Sequence, residues 1–234
     1  MPRPTFEDLE HPGYSEDTEQ IRVFFDTEFT DLRPEAKLIA IGLITEDGTR
    51  TFYVELSDTY RLADVGDFAR EAVLPLLEGG AALMAMHELS LKLGNWIEDF
   101  GQPVILATDS LAWDWPWIQR IFEIPEAWPA NLVRCPLLLT MNYLHDFDKF
   151  GPAVEQAFTG GLRRHHALDD AKANRLGWIA AGGDIEKAAE RSRYKLADLI
   201  AQTSGELPLL EGWDDMPAVG LEILPGNETP PSKK

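Results

Sequence analysis

The sequence predicts a mixed α/β fold: a five-stranded sheet with an antiparallel meander on one side, parallel strands on the other, and helices on its faces. Three observations carry this expectation. Three strand-like segments follow one another between residues 21 and 56. Helical periodicity then alternates with short apolar runs, the pattern of helices that cross between strands of one sheet. The chain has 234 residues, 44% hydrophobic and 26% charged, enough for one substantial core and short for two.

The elements follow in order. Ile21–Phe25 is a short apolar run bounded by acids and reads as a buried strand. Leu38–Thr45 is a second strand, Glu46-Asp47-Gly48 a turn with the Asp-Gly hairpin signal, and Thr49–Leu56 an alternating third strand. Val65–Leu77 has helical spacing, with Phe68, Val73, Leu76 and Leu77 on one face, and Glu88–Phe100 repeats the pattern with Leu89, Leu93, Trp96, Ile97 and Phe100. Pro103–Ala107 is a fully apolar strand, expected to be central and parallel to the first. Trp115–Phe122 reads as helix and Asn131–Arg134 as a fifth strand. Ala167–Ala181 is a helix ending at Gly182-Gly183, after which Asp184 caps a last helix to about Gln202.

Composition limits the function classes. The single cysteine, Cys135, excludes a disulfide framework and argues against a thiolate zinc site. No stretch approaches the roughly 18 apolar residues that span a bilayer, and Met1-Pro2-Arg3-Pro4 lacks the apolar core of a signal peptide. A cytoplasmic protein with no membrane partner is expected. The net charge of −19 argues against a nonspecific nucleic-acid coat, which shows a basic surface, but not against an enzyme that meets a few phosphates through metal ions. Residues 1–20 carry six acids against one base, and 204–234 carry six acids, two lysines and five prolines, leaving −10 on 21–203. The ends read as acidic tails around a domain at 21–203. Leu207, Leu209, Leu210, Trp213, Leu221, Ile223 and Leu224 leave open that the second tail docks on a surface.

Three segments can carry chemistry. Val23-Phe24-Phe25-Asp26-Thr27-Glu28-Phe29-Thr30 places two carboxylates at i and i+2 where an apolar strand ends. On a strand these point to one side, and their repulsion is relieved by a cation between them. Oxygen ligands suit Mg²⁺ or Mn²⁺; the bland alternative is a solvated strand end. Ala107–Arg120 places Asp114 after a buried strand, at the start of a helix rich in aromatics, where an acid also serves as a cap. Asp109 competes with it for a metal role. Trp113, Trp115 and Trp117 can stack on bases or pack in the core. Arg163–Ala171 sets His165 and His166 before a helix and Asp170 in its first or second turn, where the helix dipole alone favours an acid. Ala167 and Ala171 are small enough for close packing on the sheet.

Taken together, FFDTEFT, LAWDWPWI and HHALDDAKAN resemble, in order and spacing, the motifs of the DEDD superfamily of 3′–5′ exonucleases, histidine branch, over roughly residues 21–181. The opening segment is most similar to compact bacterial and phage exoribonucleases of the mycobacterial type. The resemblance implies a ribonuclease H-like fold and two divalent ions, Mg²⁺ or Mn²⁺, held by Asp26, Glu28, Asp114 and Asp170. It implies that Asp26 bridges the ions, with Glu28 and Asp170 on one and Asp114 reaching the other. His165 matches the general base, with His166 as a substitute that the sequence leaves open. Thr30 matches a neighbour of the terminal nucleotide. Thr27, Phe29, Trp113 and Arg164 complete the expected substrate contacts, Arg163 and Arg164 being equally readable as surface charges. Asp31-Leu32 departs from the family, where many members have glycine.

The implied substrate is single-stranded RNA or DNA with a free 3′ end, cut to nucleoside 5′-monophosphates. RNA is favoured by the small size, the lack of an appended polymerase or helicase, and the nearer resemblance. A proofreading-type exodeoxyribonuclease and a non-catalytic acidic module on the same fold stay open, as does a homodimer. Leu144-His145-Asp146 contains the doublet of an all-helical metal phosphohydrolase, which the opening strands oppose.

Overall fold

A strand that is apolar on both faces must be covered on both, and β1 (Ile21–Phe29) is: Val23, Phe24 and Phe25 are all fully buried. The computed structural model describes residues 20–123, 128–139 and 146–183, all within the unit that ends at Glu190. The two acidic tails, the helix expected from Asp184, the apolar residues from Leu207 to Leu224 and the Leu144-His145 pair lie outside the described residues. Asp146 is described and pairs with Lys149 at 2.8 Å. Among the described residues no helix is long and apolar enough to cross a membrane.

β2 (Leu38–Thr45) and β3 (Thr51–Leu56) complete the antiparallel meander. Gly48 takes φ +76° in the connecting turn, and the Asp47 carboxylate accepts hydrogen bonds from the Thr49 backbone N–H and the Thr45 hydroxyl. β5 (Val104–Thr108) lies parallel to β1 on its other side. Among the described residues the sheet has six strands, one more than expected, in the order β4 (Leu83–Met84), β3, β2, β1, β5 and β6 (Leu137–Leu138). The added edge, β4 (Leu83–Met84), is two residues long and leaves no periodicity to read. The expected strand at Asn131–Arg134 reduces to a single bridge from Leu132 to Val104, because Pro136 interrupts the ladder. Pairing with β5 resumes at β6 (Leu137–Leu138).

Helices cover both faces. α2 (Met86–Glu98) and α3 (Leu111–Ile121) bury Leu89, Leu93, Ile97, Trp117 and Ile118 with Val23 and Phe25. α4 (Phe150–Thr159), which the periodicity does not announce, and α5 (Ala167–Ala180) bury Phe150, Ala171 and Trp178 with Phe24 on the opposite face. The helix expected over Val65–Leu77 is shorter. α1 spans Asp67–Ala72 and tightens into a 3₁₀ turn at Leu74–Leu76, where Pro75 cannot continue the α-helical ladder. Phe68, placed on its buried face by the periodicity, is instead 66% exposed.

Two features open a crevice at the end of β1. β1 runs past Phe25, carrying Asp26 and Glu28 in register with Gly42 and Ala40 of β2, whereas its pairing with β5 ends at Phe24 opposite Ala107. The second is Gly42 itself. A Cβ there would lie 2.2 Å from the Leu168 backbone nitrogen and 2.5 Å from the Ala167 carbonyl carbon. The first turn of α5 therefore rests on bare backbone, beside Asp26. Gly42→Ala forces backbone apart rather than a flexible side chain. It should cost about 1–3 kcal/mol and lower the melting temperature by at least about 3 °C. Unchanged melting would mean that α5 does not sit this close.

Candidate active site

Crevices at the carboxyl ends of strands are where open α/β sheets place ligands. Here the crevice is a cavity of about 360 Å³ lined by all the carboxylates that the sequence singles out. Its acids come from four elements. Asp26 and Glu28 leave β1 on one side. Asp170 descends from the first turn of α5, and Asp114 rises from the first turn of α3 on the opposite face of the sheet. Asp109 follows β5. Carboxylate oxygens of Asp26, Asp109 and Asp114 lie within 4.8 Å of one another, and so do atoms of Glu28, His165 and Asp170.

These acids are held by neighbours to which the sequence analysis gives no such role. The buried Asp114 accepts 2.6 Å hydrogen bonds from the hydroxyls of Thr27 and Thr108, one from each flanking strand. Asn174 donates to Asp109 at 2.8 Å. It stands four residues after Asp170 on α5, a spacing that puts both on one face and is the signal that could have found it. Asp109, a competitor of Asp114 in the sequence, stands beside it.

The electrostatics are those of an unsatisfied anion cage. Burial, with the neighbouring acids, pushes the Asp26 carboxyl well above its usual range. Burial and Asp170 push Glu28 up to about 8, and burial raises Asp170 to about 7 and Asp114 to about 6, Asp114 against the two threonine hydroxyls. Burial raises Asp109 too, with Asn174 opposing. So many acids that resist ionisation fit a site completed by cations. The donor set, carboxylate oxygens with one imidazole, fits hard divalent ions.

The two histidines part company. His165 adopts φ +65°, a left-handed conformation uncommon outside glycine and characteristic of constrained functional residues. It lines the cavity, with the exposed Phe68 edge-on to its ring at 5.0 Å. Burial and the nearby Arg164 hold its pKa below the usual 6.5, so the ring is neutral at neutral pH. His166 is buried outside the cavity. It stacks on Tyr53 at 4.5 Å and caps α5 through Nδ1, which accepts from the Asp169 N–H at 3.4 Å; its Nε2 lies 3.4 Å from Glu78 Oε1 and makes no hydrogen bond among the described residues.

The expected substrate contacts are distributed unevenly. Thr27 lines the cavity while its hydroxyl is bonded to Asp114. The Thr30 hydroxyl accepts the Lys37 N–H at 3.0 Å and its carbonyl accepts the Gly66 N–H at 2.9 Å. Phe29 stacks on Trp113 at 5.9 Å and on Trp117 at 6.2 Å. Trp113 lines the cavity and is exposed, whereas Trp115 and Trp117 are core. Arg164 is the only lysine or arginine among the described lining residues. It lies 4.1 Å over Phe158 and is bound by Glu155 at 2.7 and 2.8 Å. Arg163 turns elsewhere, to Asp169 at 2.7 Å and Glu78 at 3.0 Å.

No family profile and no curated protein matches the chain. Among solved structures it is similar to exonuclease I, at TM-score 0.51 and 13% identity over 78% of this chain and 46% of that one. The chain thus spans about half the length of exonuclease I. The likeness is one of fold: a ribonuclease H-like mixed sheet flanked by helices.

A pH dependence of stability follows. Asp26, Glu28, Asp114 and Asp170 hold protons in the fold that they release near pH 4 when unfolded. Their stabilising effect is complete below that pH and is lost as pH rises through about 6–8. Metal-free protein should melt at a lower temperature at pH 8 than at pH 5. Mg²⁺ should restore stability chiefly at pH 8, and Asp26→Asn should flatten the fall. Melting that is level across this range and indifferent to Mg²⁺ would contradict the cage.

Proposed function

We propose that this chain is a metal-dependent 3′–5′ exonuclease that shortens single-stranded nucleic acid to nucleoside 5′-monophosphates. The observation that carries the reading is convergence. Four carboxylates and a neutral histidine, from three separate segments, meet in one cavity at the end of β1, on a fold shared with exonuclease I. Asp26, Glu28, Asp114 and Asp170 would hold two divalent ions, with Asp109 beside them. When bound, such ions supply an activated water and charge stabilisation at the leaving 3′-oxygen.

The chain's own residues do the rest. The two threonine hydroxyls fix the Asp114 carboxylate before anything binds, so its orientation need not be set during the reaction. The neutral His165 ring, on the same side as Glu28 and Asp170, accepts the proton of the attacking water. Phe29 and Trp113 offer stacking surface to unpaired bases. Arg164 meets a backbone phosphate by exchanging Glu155 for it. With Arg164 the one lysine or arginine on the cavity wall among the described residues, little there grips a duplex, which favours single strands.

The test is digestion of matched 5′-labelled and 3′-labelled single strands with Mg²⁺ or Mn²⁺. The 5′ label should run down a ladder while the 3′ label appears at once as mononucleotide. Cleavage of a circular single strand at a comparable rate would make the enzyme an endonuclease and overturn the reading. His165→Ala should lower kcat by about 10²–10⁴-fold. His166→Ala should lower the melting temperature instead, because it removes a cap and a buried stack.

A further inference from the structure

Besides the acids, a wall of the cavity is made by Thr30, Asp31, Leu32, Gly66, Phe68, Ala69 and Val73. Its surfaces are apolar on most sides. Leu32 and Phe68 are 67% and 66% exposed and both line this cavity, while Ala69 and Val73 are buried. Its polar groups are nearly all committed. The Thr30 hydroxyl takes the Lys37 N–H, and the Thr30 carbonyl takes the Gly66 N–H.

Asp31 is engaged on both oxygens but not saturated. Its Oδ1 accepts the Leu32 N–H at 2.8 Å and its Oδ2 lies 3.3 Å from the Arg33 guanidinium. A carboxylate offers about four acceptor positions, so acceptor capacity remains on a wall that is otherwise apolar or spent. Room for it is built in: a Cβ at residue 66 would lie 3.1 Å from the Asp31 Cγ and Oδ2, and Gly66 has none. Asp31 belongs to neither acid group that gathers at the end of β1.

On the exonuclease reading above, the departing residue is a nucleoside 5′-monophosphate. Its phosphate lies at the acids and its sugar beyond them, with the 2′,3′ edge turned away from the phosphate. We propose that Asp31 accepts hydrogen bonds from the 2′- and 3′-hydroxyls of the terminal ribose and so selects RNA ends over DNA ends. Two adjacent hydroxyls match two carboxylate oxygens, and a charged acceptor makes each bond stronger than a neutral one. A 2′-deoxy end forfeits one of them, and the 2′-hydroxyl is the group by which proteins tell RNA from DNA.

The experiment uses one DNA oligomer ended at its 3′ side by a single ribonucleotide or by the matching deoxynucleotide, digested by the full-length wild type, Asp31→Ala and Asp31→Asn. The wild type should prefer the ribonucleotide end by about 10-fold in kcat/KM, the worth of one charge-assisted hydrogen bond. Asp31→Ala should bring that ratio to within about 2-fold of unity by slowing the ribonucleotide end. Asp31→Asn, which keeps the shape of the loop, should fall between. Calorimetric titration with adenosine and deoxyadenosine 5′-monophosphates in Mg²⁺ should show the same preference and the same loss, independently of turnover. A preference that survives Asp31→Ala, or none in the wild type, overturns the role of Asp31 while leaving the exonuclease intact. Absence of both shortening and nucleotide binding in the wild type overturns both.

Discussion

The close seat of α5 on the sheet is the constraint from which the rest of the site follows. Gly42 offers no side chain, so the Ala167–Leu168 backbone comes down onto β2 immediately beside Asp26. That contact brings Asp170 and His165 to Glu28. The consequence is an electrostatic debt: Asp26 and Glu28, already paired on one strand, acquire a third carboxylate, while Asp114 arrives from the other face. Burial raises the pKa values of all four, and the neighbouring acids add to it. Such an arrangement is disfavoured for a metal-free protein at neutral pH and natural for one that binds divalent cations.

Much of this was legible in the sequence, and what was not has physical causes. Alternation on a strand puts i and i+2 on one side whatever the tertiary structure, so Asp26 and Glu28 could be paired from spacing alone. The meander and the strand parallel to β1 were readable because their apolar runs are long and bounded by turns. The separation of His165 from His166 was not, because it depends on one backbone angle, φ +65° at His165, that sends adjacent side chains in opposite directions. Gly42 was invisible for a related reason. Within LIAIGLIT it looks like a weak point in a strand, and its purpose appears only when a helix is packed against it. Thr27 and Thr108 fix Asp114 across 87 and 6 residues respectively, and no local pattern announces the longer of those contacts. Phe68 was misplaced because the buried face is set by Ala69 and Val73, four apart, whereas Phe68 stands five before Val73 and off that face.

Exposed apolar residues and scarce cations give the cavity its character. Trp113, Phe68 and Leu32 stand in solvent around a site that carries one arginine, itself tied to Glu155. Affinity for a polyanion built on a basic surface is strongly weakened by salt. A site that relies on bound cations and stacking surfaces loses less. The charge of the chain, −19, is therefore compatible with a nucleic-acid substrate.

Calorimetric titration of the metal-free protein with Mn²⁺ at pH 7.5 tests whether the acids at the end of β1 hold divalent cations. Two equivalents of ion should bind, with proton release from the buried carboxyls, and at least one equivalent should be lost in Asp26→Asn. Absence of binding at millimolar Mn²⁺, or binding that Asp26→Asn leaves unchanged in stoichiometry and affinity, would contradict that role of the acids.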